Sequence, residues 1–190
     1  MAALEASAVP VVAEAPLHPI PTFREIYDNH FDFVWRLAAH RGIASAALDD
    51  VAQEVFIVVA RKLPEFEGRA SPRTWLAAIV RRVIADYVRK RGNRPAGDEP
   101  LVREPAHPQA SAEQHERDAA TQLLDSLLER MTTEQREVFV LHELEEMSGT
   151  EIAVVTETNE NTVWTRLRAA RRIVQEGVAR HQARQAREGS

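Results

Sequence analysis

Apolar residues in this chain recur at steps of three and four, and no segment alternates apolar and polar as a half-buried strand does. Phe23, Ile26, Tyr27, Val34, Leu37 and Ala38 predict a helix over 22–41, closed by Gly42. Leu48, Val51, Ala52, Val55, Val58 and Val59 predict a second over about 46–62, stopped by Pro64. Ser71-Pro72 places a capping hydroxyl before a proline at the first helical position. That opens a third helix to about Arg91, with Trp75, Leu76, Ile79, Val80, Val83, Ile84 and Tyr87 facing inward. Leu123, Leu124, Leu127 and Leu128 mark a fourth. Thr132 with Gln135, and Ser148 with Glu151, are capping boxes for two more helices, the first to about Glu145 and the second to Val155. Thr156-Glu157-Thr158 makes a turn, and Asn159 caps a long final helix to about Arg180. The fold class is all-α.

Asn93–Gln114 breaks this rhythm with Pro95, Pro100, Pro105 and Pro108, so two helical modules are joined by a Pro-rich linker. The expected boundaries are a flexible N-terminal tail at 1–21, a first module at 22–94, a linker at 95–118, a second module at 119–180 and a flexible C-terminal tail at 181–190. The tail before Pro21 has no Lys or Arg, unlike the basic start of a signal peptide. The longest apolar runs are far short of the roughly 20 residues that cross a bilayer, so no membrane insertion is expected. The chain has no Cys, which excludes disulfides, thiolate metal sites and Cys nucleophiles and fits a cytoplasmic protein.

The formal net charge is −5, but it is unevenly spread. Residues 61–94 hold 10 Lys/Arg against 3 Asp/Glu, and 160–187 hold 7 Arg against 2 Glu. The remainder holds 7 basic and 24 acidic residues. The two islands are either solvated helix faces or two polyanion-contacting surfaces in a chain whose acidity repels indiscriminate DNA binding. Glu143, Glu145 and Glu146 read as a solvated acidic face, and His142 with Glu145 as a surface pair. No Gly-x-x-x-x-Gly-Lys loop, His-Glu-x-x-His or Gly-x-Ser-x-Gly is present, so no enzyme is expected, no catalytic or metal residues are assigned, and no cofactor is implied.

A short helix, a three-residue turn and a long basic helix outline a helix-turn-helix. At about 100° per residue, Val163, Leu167, Ala170 and Val174 share one side of the final helix. Asn161, Thr165, Arg168 and Arg172 share the other, a set that suits base edges in a major groove. Arg171, Arg180 and Arg184 suit phosphates. Trp164 flanks that face and either contacts a base or packs its indole against the module's edge.

Three stretches of the first module resemble the sigma-70 family of bacterial transcription initiation factors: Leu48-Asp49-Asp50-Val51-Ala52-Gln53-Glu54-Val55-Phe56, Phe66-Glu67-Gly68-Arg69 and Thr74-Trp75-Leu76-Ala77-Ala78-Ile79. In the second module the matching residues are Arg136–Leu141, Glu151-Ile152-Ala153, and Thr162, Val163, Arg166, Leu167, Ala170 and Arg171. The two-module length resembles the extracytoplasmic-function (ECF) group, with region 2 in the first module and the region 4 helix-turn-helix in the second. The resemblance implies a factor, monomeric when free, that binds the β and β′ subunits of core RNA polymerase. It also implies recognition of −10 and −35 promoter elements, DNA melting, and control by an anti-sigma factor. The linker would thread toward the polymerase cleft.

The polymerase-binding residues would be Asp49, Asp50, Gln53, Glu54 and Ile57. The −10 residues would be Phe66, Arg69, Arg73, Arg81, Arg82 and Arg89, with Phe66 either stacking on an extruded base or closing a helix corner as core. The −35 residues would be Asn161, Thr162, Trp164, Thr165, Arg166, Arg168, Arg171 and Arg172. Glu157-Thr158 departs from the Gly and apolar residue usual in the family's turn, Trp164 from a usual Lys or Arg, and Arg82 and Asp86 from usual Asn positions. Two rival readings are a free-standing helix-turn-helix regulator and a helical adaptor that binds protein without DNA.

Overall fold

The computed structural model describes residues 17–92 and 112–188, with side chains for 17–91 and 119–187. The expected tail up to residue 16 and the Pro-rich segment 93–111 lie outside the described residues. Among the described residues the regular structure is helical: α1 Phe23–His40, α2 Ser45–Lys62, α3 Pro72–Gly92, α4 Ala112–Glu129, α5 Thr133–Phe139, α6 Gly149–Thr156 and α7 Glu160–Glu188. A 3-10 turn, Leu63–Glu65, follows α2, and a π-helical turn, Val140–Leu144, continues α5.

Local chemistry sets the helix starts. Thr22 Oγ1 accepts from the Glu25 amide at 3.2 Å while the Thr22 amide donates to the Glu25 carboxylate at 2.7 Å. The Thr22 amide, with the Thr22 hydroxyl donating to the same carboxylate at 2.8 Å, holds the Glu25 carboxyl below its ordinary value. Ser71 Oγ accepts from the Thr74 amide at 3.1 Å at the head of α3. Thr132 and Ser148 form full capping boxes with Gln135 and Glu151. Gly42 follows α1 with φ +83°, a conformation that costs a Cβ-bearing residue, and a Cβ there would lie 3.1 Å from the Arg136 guanidinium.

α1, α2 and α3 pack on one another, and α4, α5 and α6 pack around α7. Most of the expected stripe residues are buried; Val58, Trp75, Tyr87, Leu123, Leu124 and Val174 are half-buried, and Phe23 and Tyr27 stand partly exposed at the start of α1, beside Phe56. Two boundaries differ from expectation. α4 begins at Ala112, inside the stretch assigned to the linker, because the four prolines all precede it. α7 runs to Glu188, through the expected C-terminal tail, because residues 179–188 are rich in the helix formers Ala, Gln and Arg although the apolar stripe has ended. The modules do not stand apart. α3 packs against α6, and buried apolar residues of both modules, all but Phe66 and Leu127, belong to one connected core.

Candidate nucleic-acid interface

The second module presents α7 as the sequence predicts. Asn159 Oδ1 accepts from the Thr162 amide at 2.8 Å and starts the helix. Val163, Leu167 and Ala170 are fully buried. Asn161, Thr165, Arg168 and Arg172 are exposed together on the opposite side, with the Thr165 hydroxyl donating to the Asn161 carbonyl at 2.8 Å. Thr162 and Arg166 are half-buried at the ridge's edge. Arg171 is exposed but engaged: its Nη2 lies 2.6 Å from Glu143 Oε1. Trp164 is 40% exposed, and its indole covers Gly149, where a Cβ would lie 2.5 Å from Cζ2. Its ring also meets His142 edge-on, with centroids 5.5 Å apart. The indole thus braces the start of α6 against α7, the packing role weighed for it.

The turn between α6 and α7 is closed without glycine. Glu157 sits at φ 55°, ψ 40°, and the Thr158 amide donates to the Ala153 carbonyl at 3.0 Å. A non-Gly residue in this left-handed region carries about 1 kcal/mol or more of strain. The Glu157 side chain reaches Arg82 of the first module at 3.0 Å. Arg82's hydrogen bond and charge hold the Glu157 carboxyl below its ordinary value.

On α2, Asp49, Asp50, Gln53, Glu54 and Ile57 are all exposed, with Leu48, Val51 and Val55 buried behind them. Ile57 is an exposed apolar residue within a polar face, and Trp35 donates from Nε1 to Asp49 at 3.4 Å alongside it.

The six residues assigned to −10 DNA divide. Arg69 and Arg89 are exposed and pair locally, with Glu67 at 2.6 Å and Asp86 at 2.9 Å. Phe66 is buried against Trp75, ring centroids 4.9 Å apart, so it closes the helix corner as core, and stacking a base on it would require the loop to move. Arg73, Arg81 and Arg82 point into the junction between modules. Arg73 Nη2 lies 2.7 Å from Glu145 Oε2, Arg81 Nε 3.2 Å from Glu137 Oε1, and Arg82 Nη2 3.0 Å from Glu157 Oε1. Arg36 also bonds Glu145 at 3.1 Å, and Arg41 pairs with Glu137 at short range. Thr74 donates to Glu151 Oε1 at 2.9 Å. Burial would raise the Glu151 carboxyl, but hydrogen bonds from Ser148, Thr74 and Ser71 outweigh it and hold it low. Arg73 stacks its guanidinium 4.7 Å from the Phe33 ring centroid.

This corrects one expectation. Glu145 is not on a solvated acidic face; it is 2% exposed and clasped by two arginines of the first module. The solvated reading fails because the Val140–Leu144 π-turn shifts the register and turns Glu145 inward. Glu137, Glu145, Glu151 and Glu157 form an acidic row that sequence reading did not single out. Their arginine partners lie 56 residues (Arg81 to Glu137) to 109 residues (Arg36 to Glu145) away along the chain, beyond any spacing rule. The available signal was the charge imbalance, a basic α3 in an acidic chain.

Among the described residues, no helix is long and apolar enough to cross a membrane, and no group of three or more acidic or His side chains is arranged to hold a metal ion. Residues 26–94 match the family model for sigma-70 region 2, and residues 121–174 match that for sigma-70 region 4. The ECF RNA polymerase sigma factor SigC of Mycobacterium tuberculosis is 32% identical over 143 residues, 73% of each chain. The ferric citrate uptake sigma factor FecI of Escherichia coli is 30% identical over 135 residues, 70% of this chain and 76% of that one. The sigma factor RpoE from Bartonella quintana, solved in complex with the anti-sigma factor NepR, matches with a TM-score of 0.68 at 20% identity, over 83% of this chain and 96% of that one. CnrH, solved with the cytosolic domain of CnrY, matches with a TM-score of 0.62 at 24% identity, over 83% and 87%. These two structures share the fold. Two family regions in the right order, each coinciding with one helical module, and relatives at 30% identity or more establish that this chain belongs to the ECF group of sigma-70 transcription initiation factors.

Proposed function

We propose that this chain binds core RNA polymerase through the exposed face of α2 and directs it to promoters with −10 and −35 elements. The observation that carries the reading is the exposed ridge of Asn161, Thr165, Arg168 and Arg172 on a helix whose opposite side is buried at Val163, Leu167 and Ala170. Such a ridge meets base edges in a major groove: arginine forks suit guanine and the asparagine amide suits adenine. Thr162, Arg166 and Arg171 flank it and position the helix on phosphates, and Trp164 braces it against α6. Arg69 in the loop before α3, and Arg73, Arg81, Arg82 and Arg89 on α3, contact −10 DNA and assist melting. The protein is a cytoplasmic monomer when free, without catalytic activity of its own. An anti-sigma factor holds it in reserve, a reading supported by the solved complex of RpoE with NepR.

The polymerase contact separates this reading from a free-standing regulator. Glu54→Lys reverses a charge on an exposed position and changes stability by less than about 0.5 kcal/mol. At a docked interface the same reversal costs several kcal/mol. The variant is expected to remain helical but no longer co-elute with core polymerase. Full retention of polymerase affinity by Glu54→Lys combined with Asp50→Lys rejects α2 as the docking face. Nanomolar binding to one duplex site at physiological salt without polymerase favours the free-standing regulator instead.

A further inference from the structure

α3 carries the densest cationic surface of the first module, yet three of its arginines, one in its first turn and two at its middle, face protein. Arg73 meets Glu145, Arg81 meets Glu137 and Arg82 meets Glu157, each through a guanidinium nitrogen at 2.7–3.2 Å from a carboxylate oxygen. Glu137 and Glu145 are buried; Glu157 is exposed. Two further arginines, Arg36 and Arg41 at the end of α1, close on the same buried carboxylates. These glutamates come from three places in the second module: α5, the residue after its π-turn, and the turn before α7. Thr74 adds a neutral bond to Glu151 on α6.

A carboxylate that accepts from an arginine fork offers the guanidinium what a phosphate offers: anionic oxygens at hydrogen-bonding distance. One arginine nitrogen cannot serve both at once. α6 also packs directly on α3, so a nucleic-acid strand has no room along that face while the modules are docked.

We propose that the acidic row Glu137, Glu145 and Glu157 occupies the α3 arginines in place of DNA phosphates, so that the docked chain is a self-inhibited form. The modules must separate before α3 engages DNA. This rests on the reading that Arg73, Arg81 and Arg82 contact −10 DNA. The row is a mimic of nucleic acid supplied in cis. The fraction of open chain then sets the apparent affinity for DNA, because a site available only in a minor state binds more weakly by that fraction.

The absence of native cysteines makes the test direct. Cysteines at Asp28 and Gln175, exposed positions on α1 and α7, carry a donor and acceptor dye pair that reports docking. A short fluorescein-labelled single-stranded oligonucleotide, titrated into unlabelled full-length chain and read by anisotropy, reports α3. Glu137→Gln with Glu145→Gln keeps shape and removes the charges. It is expected to lower energy transfer and tighten oligonucleotide binding by roughly tenfold or more. The charge-matched control Glu146→Gln with Glu176→Gln, both at exposed positions, is expected to do neither. Glu157→Gln, on an exposed turn, gives the same direction with a smaller change and stands in if the buried double variant loses its far-ultraviolet helical signal.

Unchanged energy transfer in these variants overturns the latch. Loss of transfer with no tightening beyond the control overturns the competition with DNA. A third arm separates the two readings. Arg81→Ala with Arg82→Ala, added to the opened variant, is expected to abolish the gain. A gain that survives both changes places the oligonucleotide elsewhere and overturns the −10 assignment of α3, and the proposal with it.

Discussion

Replacing Arg41 with Met isolates the most enclosed ion pair of the junction. The Arg41 side chain is 9% exposed and that of Glu137 6%, and they meet at short range between the end of α1 and α5. Leaving one member of a buried pair without its partner costs about 3–5 kcal/mol. Glu137 is not left bare, because Arg81 remains 3.2 Å away. A charge-assisted hydrogen bond retains about 1.5–3 kcal/mol, so Arg41→Met should cost about 2 kcal/mol. Glu137→Met is worse. It strands Arg41 in the interior at about 3–5 kcal/mol, while Arg81, one-third exposed, turns to water. The double variant removes both charges and fills the space with flexible thioethers, a replacement that is often close to neutral. It should cost no more than about 1 kcal/mol relative to the parent, giving a coupling of about 4–7 kcal/mol by the cycle. Urea unfolding measures this. With a slope of about 2 kcal/mol per molar, Arg41→Met lowers the midpoint by about 1 M. Helical dichroism and tryptophan fluorescence should shift together, since Trp35 and Trp75 lie in the first module and Trp164 in the second. A single-variant cost under about 0.5 kcal/mol, or a double variant equal to the sum of the singles, refutes the view that this pair is buried and mutually dependent.

Arg168→Ala should cost about 1–3 kcal/mol at one base position of the −35 element and relax promoter selection there; an unchanged preference in a randomised-promoter selection removes Arg168 from the base-reading set. Glu157→Gly relieves about 1 kcal/mol of left-handed strain and gives up an exposed ion pair worth at most about that much, so the melting temperature should hold or rise; a fall of several degrees shows that the Arg82 contact outweighs the strain. His40 is held below its ordinary 6.5, chiefly by burial, against Asp125 and Glu145, which pull it up, and Arg36, which pushes it down. The unfolded imidazole therefore binds its proton first as pH falls, and stability drops from about pH 7 toward His40's lowered value. His40→Asn should flatten that part of the urea-midpoint profile, and a profile unchanged by the substitution assigns the loss to other groups.

Local signals carried most of the fold. Ser71, Thr132, Ser148 and Asn159 each cap a helix by a bond to a residue three positions on, and such a bond is written in adjacent letters of the sequence. The α7 ridge was legible for the same reason, since a helical wheel needs only spacing. What was not legible depends on contacts remote in sequence. Phe66 reads equally as a platform or a core residue until Trp75 is seen against it. Glu145 reads as one of three surface acids until a π-turn places it between Arg36 and Arg73. A basic run tells that cations are concentrated; it does not tell whether phosphate or carboxylate answers them.

That distinction explains how a chain of net charge −5 can belong to a family of DNA-binding factors. The charge sum counts Arg73, Arg81 and Arg82 with Arg168 and Arg172, but their surroundings differ. The first three are matched one for one by carboxylates of the opposite module. Arg168 and Arg172 stand exposed on α7, where a groove can reach them without any rearrangement. The docked chain therefore offers DNA the α7 cations together with Arg69 and Arg89, and withholds Arg73, Arg81 and Arg82. Both the junction's ion pairs and the phosphate contacts weaken as salt is added, so a bare affinity confounds them. The salt slope separates them, because it counts the phosphates neutralised. A chain held docked should bind duplex DNA with the shallower slope of the arginines it leaves exposed, Arg168 and Arg172 on α7 and Arg69 and Arg89 on the first module. A chain with Glu137 and Glu145 neutralised should bind with a slope steeper by about 2–3, one unit for each α3 arginine released. Equal slopes for the two would mean that the α3 arginines face DNA in both, and that the docked arrangement hides nothing.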